Sequence, residues 1–404
     1  MAGGPGNPSA VAALPPTLTA PPPPLPAAAT RLRARFRRFL AAESGAWTAI
    51  DRAASWDGFD AAFSRRMGAA GFIGLALPKA WGGHGRSAFE RYVVCEEALV
   101  AGAPVGSHWF ADRQSGPLIA RFGSEAQKRA LLPAIARGEL CFCIGMSEPG
   151  AGSDLAALRT EARRVPGGFV LDGRKLWTTN AHRAHYMIAL VRTTPRADAM
   201  HRHAGFSQFL VDLARPGIDI RPVRDLHGRE HFNEVTFSGC FLPDDALIGR
   251  EGEGWAQAGA ELALERSGPE RFLSCHVLLT ELLRVLRGSR DERVRVALGR
   301  VVAGLATLRA LALGVTGELA TGADPVVPAA IVKDLGARFE QSLPALAQEL
   351  LGLAPTLDPA ADELRRVLGS LLLLAPSFSL RGGSVEVLRG IIARGLGLRA
   401  GGGA

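Results

Sequence analysis

Residues 141–177 carry the side chains and glycines that could hold a bulky ligand. An apolar run over 141–146 predicts a buried strand. Gly150 and Gly152 follow it, and glycine lets the backbone turn tightly and approach a ligand closely. A second strand and a tight turn then lead to Trp177, an aromatic residue followed by two threonine hydroxyls. Taken alone, this pattern is also typical of an ordinary β-hairpin with a wide loop.

Two segments of this stretch resemble the signature of the acyl-CoA dehydrogenase family. Residues 147–155 read SEPGAGSDL and residues 172–181 read DGRKLWTTNA. The family patterns are Ser/Thr-Glu-Pro-Gly-x-Gly-Ser-Asp and Gly-x-Lys-x-Trp-Ile-Thr-Asn, and both are present here at the family spacing. The resemblance therefore indicates a flavin-dependent member of this family.

The resemblance implies a reaction in which an acyl thioester loses hydrogen from its α and β carbons. A base must take the weakly acidic α proton, and donors must stabilise the developing enolate. In the family an FAD accepts the β hydride at its N5 atom, and the electrons pass to an electron-transfer flavoprotein. The expected substrate is an acyl-CoA, with an acyl-carrier thioester as the alternative.

The family motif also assigns binding roles to individual residues. The expected FAD contacts are Met146, Ser147, Trp177, Thr179, Ser384 and Glu386, and the expected substrate contacts are Ser153 and Arg266. Ser147 would hydrogen-bond the isoalloxazine ring, Trp177 would pack on it, and Thr179 would lie beside its edge. The structural alternatives are a turn cap for Ser147, a core tryptophan for Trp177 and a hydroxyl-stabilised turn at Ser153.

The base is expected at Glu265. Many family members carry the base as a glutamate in a C-terminal turn, but the matching residue here is Gly382, which has no side chain. A branch that resembles isovaleryl-CoA dehydrogenase carries the base on a long helix, and an ungapped count from the Gly-Trp pair at 254–255 places Glu265 there. The alternative is a solvated helix residue paired with Arg266 or Arg271. Burial of a catalytic Glu265 is expected to raise its pKa.

Two segments depart from the family pattern and leave other functions open. Residues 288–293 and 350–353 stand where the family carries Arg-x-Thr-Phe-Gly and Gln-x-x-Gly-Gly. In the family these segments bind the FAD adenosine and pyrophosphate, partly across a subunit interface. One alternative is therefore a non-catalytic or half-site subunit of a heteromer. Another is a flavin oxidase or monooxygenase with the same fold.

The hydrophobic pattern around the site predicts an α+β protein in four parts. These are a disordered Pro/Ala-rich tail (1–27), an N-terminal helical domain (28–138), an antiparallel β-barrel or sandwich (139–248) and a C-terminal helical bundle (249–398). Gly- and Pro-bearing turns separate the short predicted strands, one of which spans 156–164. A long helix over 252–287 is expected to kink at the Gly-Pro pair 268–269.

Composition argues against several other protein classes. The 404 residues are 47% apolar and 21% charged, which is typical of a soluble globular protein. The net charge of +8 comes almost entirely from dispersed arginines, which argues against nucleic-acid binding. The five scattered cysteines suggest a reducing compartment and no metal site. No long uncharged apolar run is present, so we expect no membrane span, a cytoplasmic location and a homodimer or homotetramer, with a paralogous heteromer as the alternative.

Overall fold

The chain folds into helices, then a sheet, then helices. The structure, a computed structural model, describes residues 14–194, 202–265 and 268–398, without the side chains of residues 16, 46 and 260–265. This order confirms the predicted α+β class. The disordered tail was predicted over residues 1–27. Residues 1–13 of it lie outside the described residues, whereas in the described remainder Pro16–Thr19 forms a short helix and Ala27 begins another.

The first helical layer precedes the sheet. Its helices are α1 (Pro16–Thr19), α2 (Ala27–Glu43), α3 (Ala49–Ala53), α4 (Ala61–Ala69), α5 (Ala88–Ala101), α6 (Gly116–Phe122) and α7 (Glu125–Ala136). Ser124 is the N-cap of α7, because its side chain accepts a hydrogen bond from the Gln127 amide. A π-helical turn, Ala111–Ser115, leads into α6.

Eight strands form the middle sheet. They are β1 (Phe142–Gly145), β2 (Glu161–Val165), β3 (Gly168–Lys175), β4 (Tyr186–Arg192), β5 (Phe206–Asp212), β6 (Ile218–Val223), β7 (Phe232–Pro243) and β8 (Leu247–Ile248). Their order is β6-β7-β3-β2-β4-β5-β8, with β1 paired to β4. Strand β4 is buried at its five central positions, which places the sheet core there.

The sheet is mixed, so the predicted purely antiparallel pairing is wrong. Strand β1 runs parallel to β4, with Phe142 opposite Tyr186, and β2 meets the end of β4 in parallel at Glu161. Parallel neighbours need a long connection instead of a hairpin, and residues 146–160 begin that connection. The strand expected over 156–164 starts only at Glu161, because Leu155–Ala157 forms a 3₁₀ turn.

The C-terminal layer contains the remaining described helices. They are α8 (Gly254–Glu265), α9 (His276–Val285), α10 (Glu292–Ala320), α11 (Val326–Leu351), α12 (Glu363–Phe378) and α13 (Val385–Gly395). The single kinked helix expected over 252–287 is instead two helices, separated by a 3₁₀ turn at Pro269–Arg271. Pro269 lacks an amide hydrogen and cannot continue the helical hydrogen-bond ladder, and α11 packs against the turn that it begins.

Helix α10 is long and apolar enough to cross a membrane, judged by length and composition alone. It is the one such helix among the described residues. Only 22% of its most apolar stretch is buried, and Val296 and Val302 are exposed. A single helix of this kind is weak evidence for a membrane span, but it does leave an apolar surface uncovered.

Glu96 joins the two helical layers. It lies on α5, is buried, and accepts hydrogen bonds from Arg33 on α2 and from Arg309 on α10 at 2.5 and 2.6 Å. Tyr92 donates a further hydrogen bond to it. Its removal leaves Arg309 without this counter-ion, whereas Arg33 keeps its ion pair with Glu97 at 3.0 Å.

We predict that Glu96→Ala lowers the free energy of unfolding by about 2–4 kcal/mol. This is less than the cost of breaking a fully buried pair, because Arg309 is partly exposed. The matched control is Glu125→Ala, whose exposed pair with Lys128 contributes less than about 1 kcal/mol. Urea unfolding monitored by circular dichroism measures both. Equal stabilities for the two variants would contradict the linking role of Glu96.

Candidate functional site

Lys175 organises the first part of the candidate site. Its side chain is fully buried at the end of β3. The ammonium group donates hydrogen bonds to the backbone oxygens of Met146 at 3.1 Å and Leu190 at 2.7 Å, and to the carboxylate of Glu148 at 2.9 Å. One ammonium thus ties the segment after β1 to β3 and β4.

Glu148 completes this buried ion pair. Its carboxylate also accepts hydrogen bonds from the amides of Arg159 at 2.6 Å and Thr160 at 3.0 Å. Burial alone would raise the pKa of Glu148, but Lys175 and these amides lower it. Burial lowers the pKa of Lys175 to about 8, against the opposing effect of Glu148. Both groups therefore remain charged at neutral pH.

The backbone at Met146 and Ser147 is held from both sides. The Leu176 amide donates a hydrogen bond to the Ser147 oxygen at 2.9 Å. On the other side, a Cβ at Gly145 would overlap the sulfur of Met187 on β4, so only glycine permits this close approach. Met146 and Ser147 are half-buried. Both predicted cofactor residues are thus presented at one edge of the sheet.

Trp177 lies beside them in an unusual conformation. It has a positive φ of 60° and its side chain is 55% exposed. A bulky residue in the left-handed region is strained, and such residues cluster at active sites and ligand clamps. Its ring meets Phe232 edge-on, with 5.7 Å between centroids. The Thr178 amide bonds to the Asn233 oxygen at 3.0 Å and fixes the following backbone.

Buried polar atoms next to Trp177 fit a polar, aromatic cofactor. Within the described part of the chain, the hydroxyl of Thr178 and both side-chain polar atoms of Asn180 are buried without a hydrogen-bond partner. Such atoms normally require a partner. Thr179 between them is half-buried. The exposed indole face and these donors and acceptors match what a flavin ring offers, namely a flat apolar face with polar edges.

The other predicted binding residues lie elsewhere on the molecule. Ser384 is the N-cap of α13, and its side chain accepts a hydrogen bond from the Val387 amide. Glu386 is exposed at the start of that helix, where hydrogen bonds from its own amide and from Ser384 lower its pKa. Ser153 is exposed in the segment that follows β1. These roles therefore stay predictions.

Glu265, the predicted base, is the last residue of α8. Its side chain is not described, and Arg266 lies outside the described residues. Near this end of α8 in sequence, the structure describes Arg271, which contacts Gly382. Gly382 has a φ of 68°, and a Cβ built there would lie 2.8 Å from both terminal nitrogens of the buried Arg271 guanidinium. Arg271 therefore fills the volume that a side chain at position 382 would need.

Sequence reasoning missed the roles of Lys175, Glu148 and Arg271. For Lys175 a signal was present, because the chain has only four lysines among 47 basic residues and this one falls in an alternating strand pattern. A compact ammonium fits a narrow buried site that the larger guanidinium cannot enter. Nothing local in the sequence indicates that Arg271 meets Gly382.

The cysteines do not form a metal centre. All five are unpaired and buried. Across residues 14–194, 202–265 and 268–398, no group of three or more His, Cys, Asp or Glu side chains is arranged to hold a metal ion. Burial raises the pKa of Cys141 to about 12, so that thiol stays protonated at neutral pH.

Comparison with known proteins agrees with this geometry. Residues 27–139 match the acyl-CoA dehydrogenase N-terminal domain and residues 143–240 match the acyl-CoA dehydrogenase middle domain. The acyl-CoA dehydrogenase IpdE1 of Mycobacterium tuberculosis is 35% identical over 349 residues, which cover 83% of this chain and 87% of the relative. This chain belongs to the acyl-CoA dehydrogenase family. Members named acyl-CoA dehydrogenase are oxidoreductases that act on CH–CH donors.

Solved structures extend the likeness to nearly the whole chain. The Tcur3481-Tcur3483 steroid ACAD has a TM-score of 0.82 and 28% identity, over 93% of this chain and 98% of its own. The ChsE4-ChsE5 complex from Mycobacterium tuberculosis has a TM-score of 0.79 and 29% identity, with the same coverage. The acyl-CoA dehydrogenase fold therefore includes the C-terminal helices, beyond the two matched domains.

We predict that Lys175→Met weakens flavin retention and lowers stability by about 3–5 kcal/mol, because it removes the counter-ion of Glu148 and the side-chain donor to two backbone oxygens. Flavin absorbance per chain after gel filtration, together with the thermal midpoint, measures both effects. Lys79→Met, which changes an exposed lysine, is the matched control. A Lys175→Met protein with the flavin content and midpoint of this control would refute the role of the ion pair.

Proposed function

We propose that this chain is an FAD-dependent acyl-CoA dehydrogenase in which Glu265 removes the α proton. The contact between Arg271 and Gly382 carries this proposal. A carboxylate cannot be supplied from position 382, which has no side chain and whose side-chain volume is filled by a guanidinium group. The base must then come from another element, and α8 ends at Glu265 near the same turn.

The proposed FAD contacts are those of the edge between β1 and β3. Ser147 and the backbone of Met146 would hydrogen-bond the ring, and Trp177 would cover one face. Thr179 would lie at the edge of the flavin ring. Ser384 and Glu386 would bind a part of the FAD that is farther from this ring. When bound, the flavin supplies the two-electron acceptor for the β hydrogen. The Lys175–Glu148 pair supports this arrangement because it restrains the backbone at Met146.

The proposed substrate is the CoA thioester of a small or polycyclic acid, bound with help from Ser153 and Arg266. One structure of similar fold is that of a steroid ACAD, so steroid side-chain thioesters belong in a substrate panel beside straight and branched acyl-CoAs. An electron-transfer flavoprotein is the proposed acceptor. Slow reaction of the reduced flavin with oxygen would separate this function from an oxidase or monooxygenase.

We predict that Glu265→Gln retains flavin but loses at least about 10²-fold in turnover, since the contribution of a positioned general base is of that order. The purified protein should show a flavin spectrum that bleaches when the right acyl-CoA is added. Glu253→Gln, an exposed change just before α8, is the control. Full turnover by the Glu265→Gln enzyme would show that the base lies elsewhere.

A second candidate function is one subunit of a heteromer that completes its site with a paralogous chain. The uncovered apolar surface of α10 favours it, as do the altered segments at 288–293 and 350–353. One structural relative is a complex of two differently named chains.

If this chain is one subunit of a heteromer, we predict that it binds much less than one FAD per chain when purified alone. Its flavin content should reach the full value only on co-expression with its paralogue. Val302→Glu, a charge on the exposed face of α10, should then abolish co-purification, whereas Glu253→Gln should not. One FAD per chain in a protein that turns over alone would exclude this candidate.

A further inference from the structure

A groove separate from the candidate flavin site lies between the two helical layers. Its volume is about 360 Å³, which falls within the range of about 300–1,000 Å³ that is usual for small-molecule sites. The residues that line it come from α2 and α5 in the first layer, from α9 and α10 in the C-terminal layer, and from the turn before α9. No described residue of the predicted flavin or substrate site lines this groove.

Three arginines line the groove and share two carboxylates. Arg33 lies between Glu96 and Glu97, at 2.5 and 3.0 Å from their oxygens. Arg37 donates two hydrogen bonds to Glu97, at 2.7 and 2.8 Å. Arg309 donates two to Glu96, at 2.6 and 3.2 Å. Three guanidinium charges face two carboxylate charges, so the groove keeps one positive charge that no described side chain in it offsets.

One edge of each guanidinium group is open to an anion. All three groups direct their Nε and Nη2 atoms at the carboxylates. Within the described part of the chain, no hydrogen bond involves their Nη1 atoms. The side chain of Arg37 is 63% exposed and that of Arg309 is 38% exposed, so a ligand in the groove can reach both. Guanidinium groups bind carboxylates through such N–H donors.

The groove also has an apolar surface. Phe272, Leu273 and Leu305 line it, together with Val100, which is 39% exposed. His276, at the start of α9, also lines it, and the Nδ1 atom of its ring is buried without a hydrogen-bond partner among the described residues. Burial lowers the pKa of His276, so its ring is neutral at neutral pH and adds no charge. The groove thus combines one uncompensated positive charge with an apolar lining.

We propose that this groove binds a small carboxylic acid with an apolar body. The carboxylate would accept hydrogen bonds from the Nη1 groups of Arg37 and Arg309, and the apolar body would cover Val100 and Leu305. One uncompensated positive charge favours a monoanion over a neutral ligand. Because the groove residues come from both layers, the bound acid would link the layers beside Glu96. This inference goes beyond the proposed function and does not depend on it, since no residue of the groove takes part in the proposed flavin or base chemistry.

The test is isothermal titration calorimetry of the flavin-loaded full-length chain with sodium octanoate, which has one carboxylate and an apolar body. Octanoate should bind with a Kd of about 1 mM or lower. Inorganic phosphate, which lacks the apolar body, and octanol, which lacks the charge, should bind at least about tenfold more weakly. The flavin absorbance should not change, because the groove contains no flavin contact.

Two variants locate the binding site. Arg37→Gln should weaken octanoate binding at least about tenfold, and Glu97 keeps its ion pair with Arg33 in this variant. Val100→Glu, which places a negative charge in the groove, should abolish binding. Arg38→Gln is the matched control, because Arg38 is the exposed neighbour of Arg37 on α2 and does not line the groove. It should bind octanoate as the wild type does.

An undetectable affinity of the wild type for octanoate would overturn the proposal. Equal octanoate affinities in the wild type, Arg37→Gln and Val100→Glu would overturn it as well, as would phosphate or octanol that binds as tightly as octanoate. A change of the flavin spectrum that octanoate causes equally in the wild type and both variants would place the acid at the flavin and refute the groove. If Arg37→Gln does not fold, Val100→Glu decides in the same way. Turnover of Glu265→Gln tests the proposed function separately.

Discussion

The buried ion pair between Lys175 and Glu148 is the contact on which the candidate flavin site depends. The segment after β1 has no strand partner of its own beyond Gly145 among the described residues, so the sheet alone cannot hold it. Lys175 supplies that restraint through three hydrogen bonds to acceptors on different parts of the chain. Because a buried charge without its partner is costly, loss of either side chain would destabilise this edge.

A second set of polar contacts holds the sheet between the helical layers. The loop between β6 and β7 reaches the first layer, where Arg229 pairs with Asp57 at 3.2 Å. The same loop reaches the C-terminal layer, where His227 hydrogen-bonds Ser370 at 2.7 Å. This loop leads directly into Phe232, which contacts the Trp177 ring. The orientation of the exposed tryptophan is therefore coupled to both layers, which explains how a strained residue can be held in place.

Local pattern predicted much of the fold. Helix α7, Glu125–Ala136, is an example, because a serine cap and an apolar stripe act within a few residues. The parallel pairing of β1 with β4 was not predictable, since it joins residues more than forty positions apart. The break at Pro269–Arg271 was expected only as a kink. Whether a Gly-Pro pair bends or ends a helix depends on what packs against it, here α11.

By itself, the sequence determined which groups are available for chemistry. It placed a glycine at position 382, a glutamate at position 265 and the two motifs around Ser147 and Trp177, and these sufficed to indicate the family. Only the tertiary structure decided that Arg271 occupies the space beside Gly382 and that Lys175 restrains the backbone at the sheet edge. Distances between residues remote in sequence are set by the packing of whole elements, to which no local pattern refers.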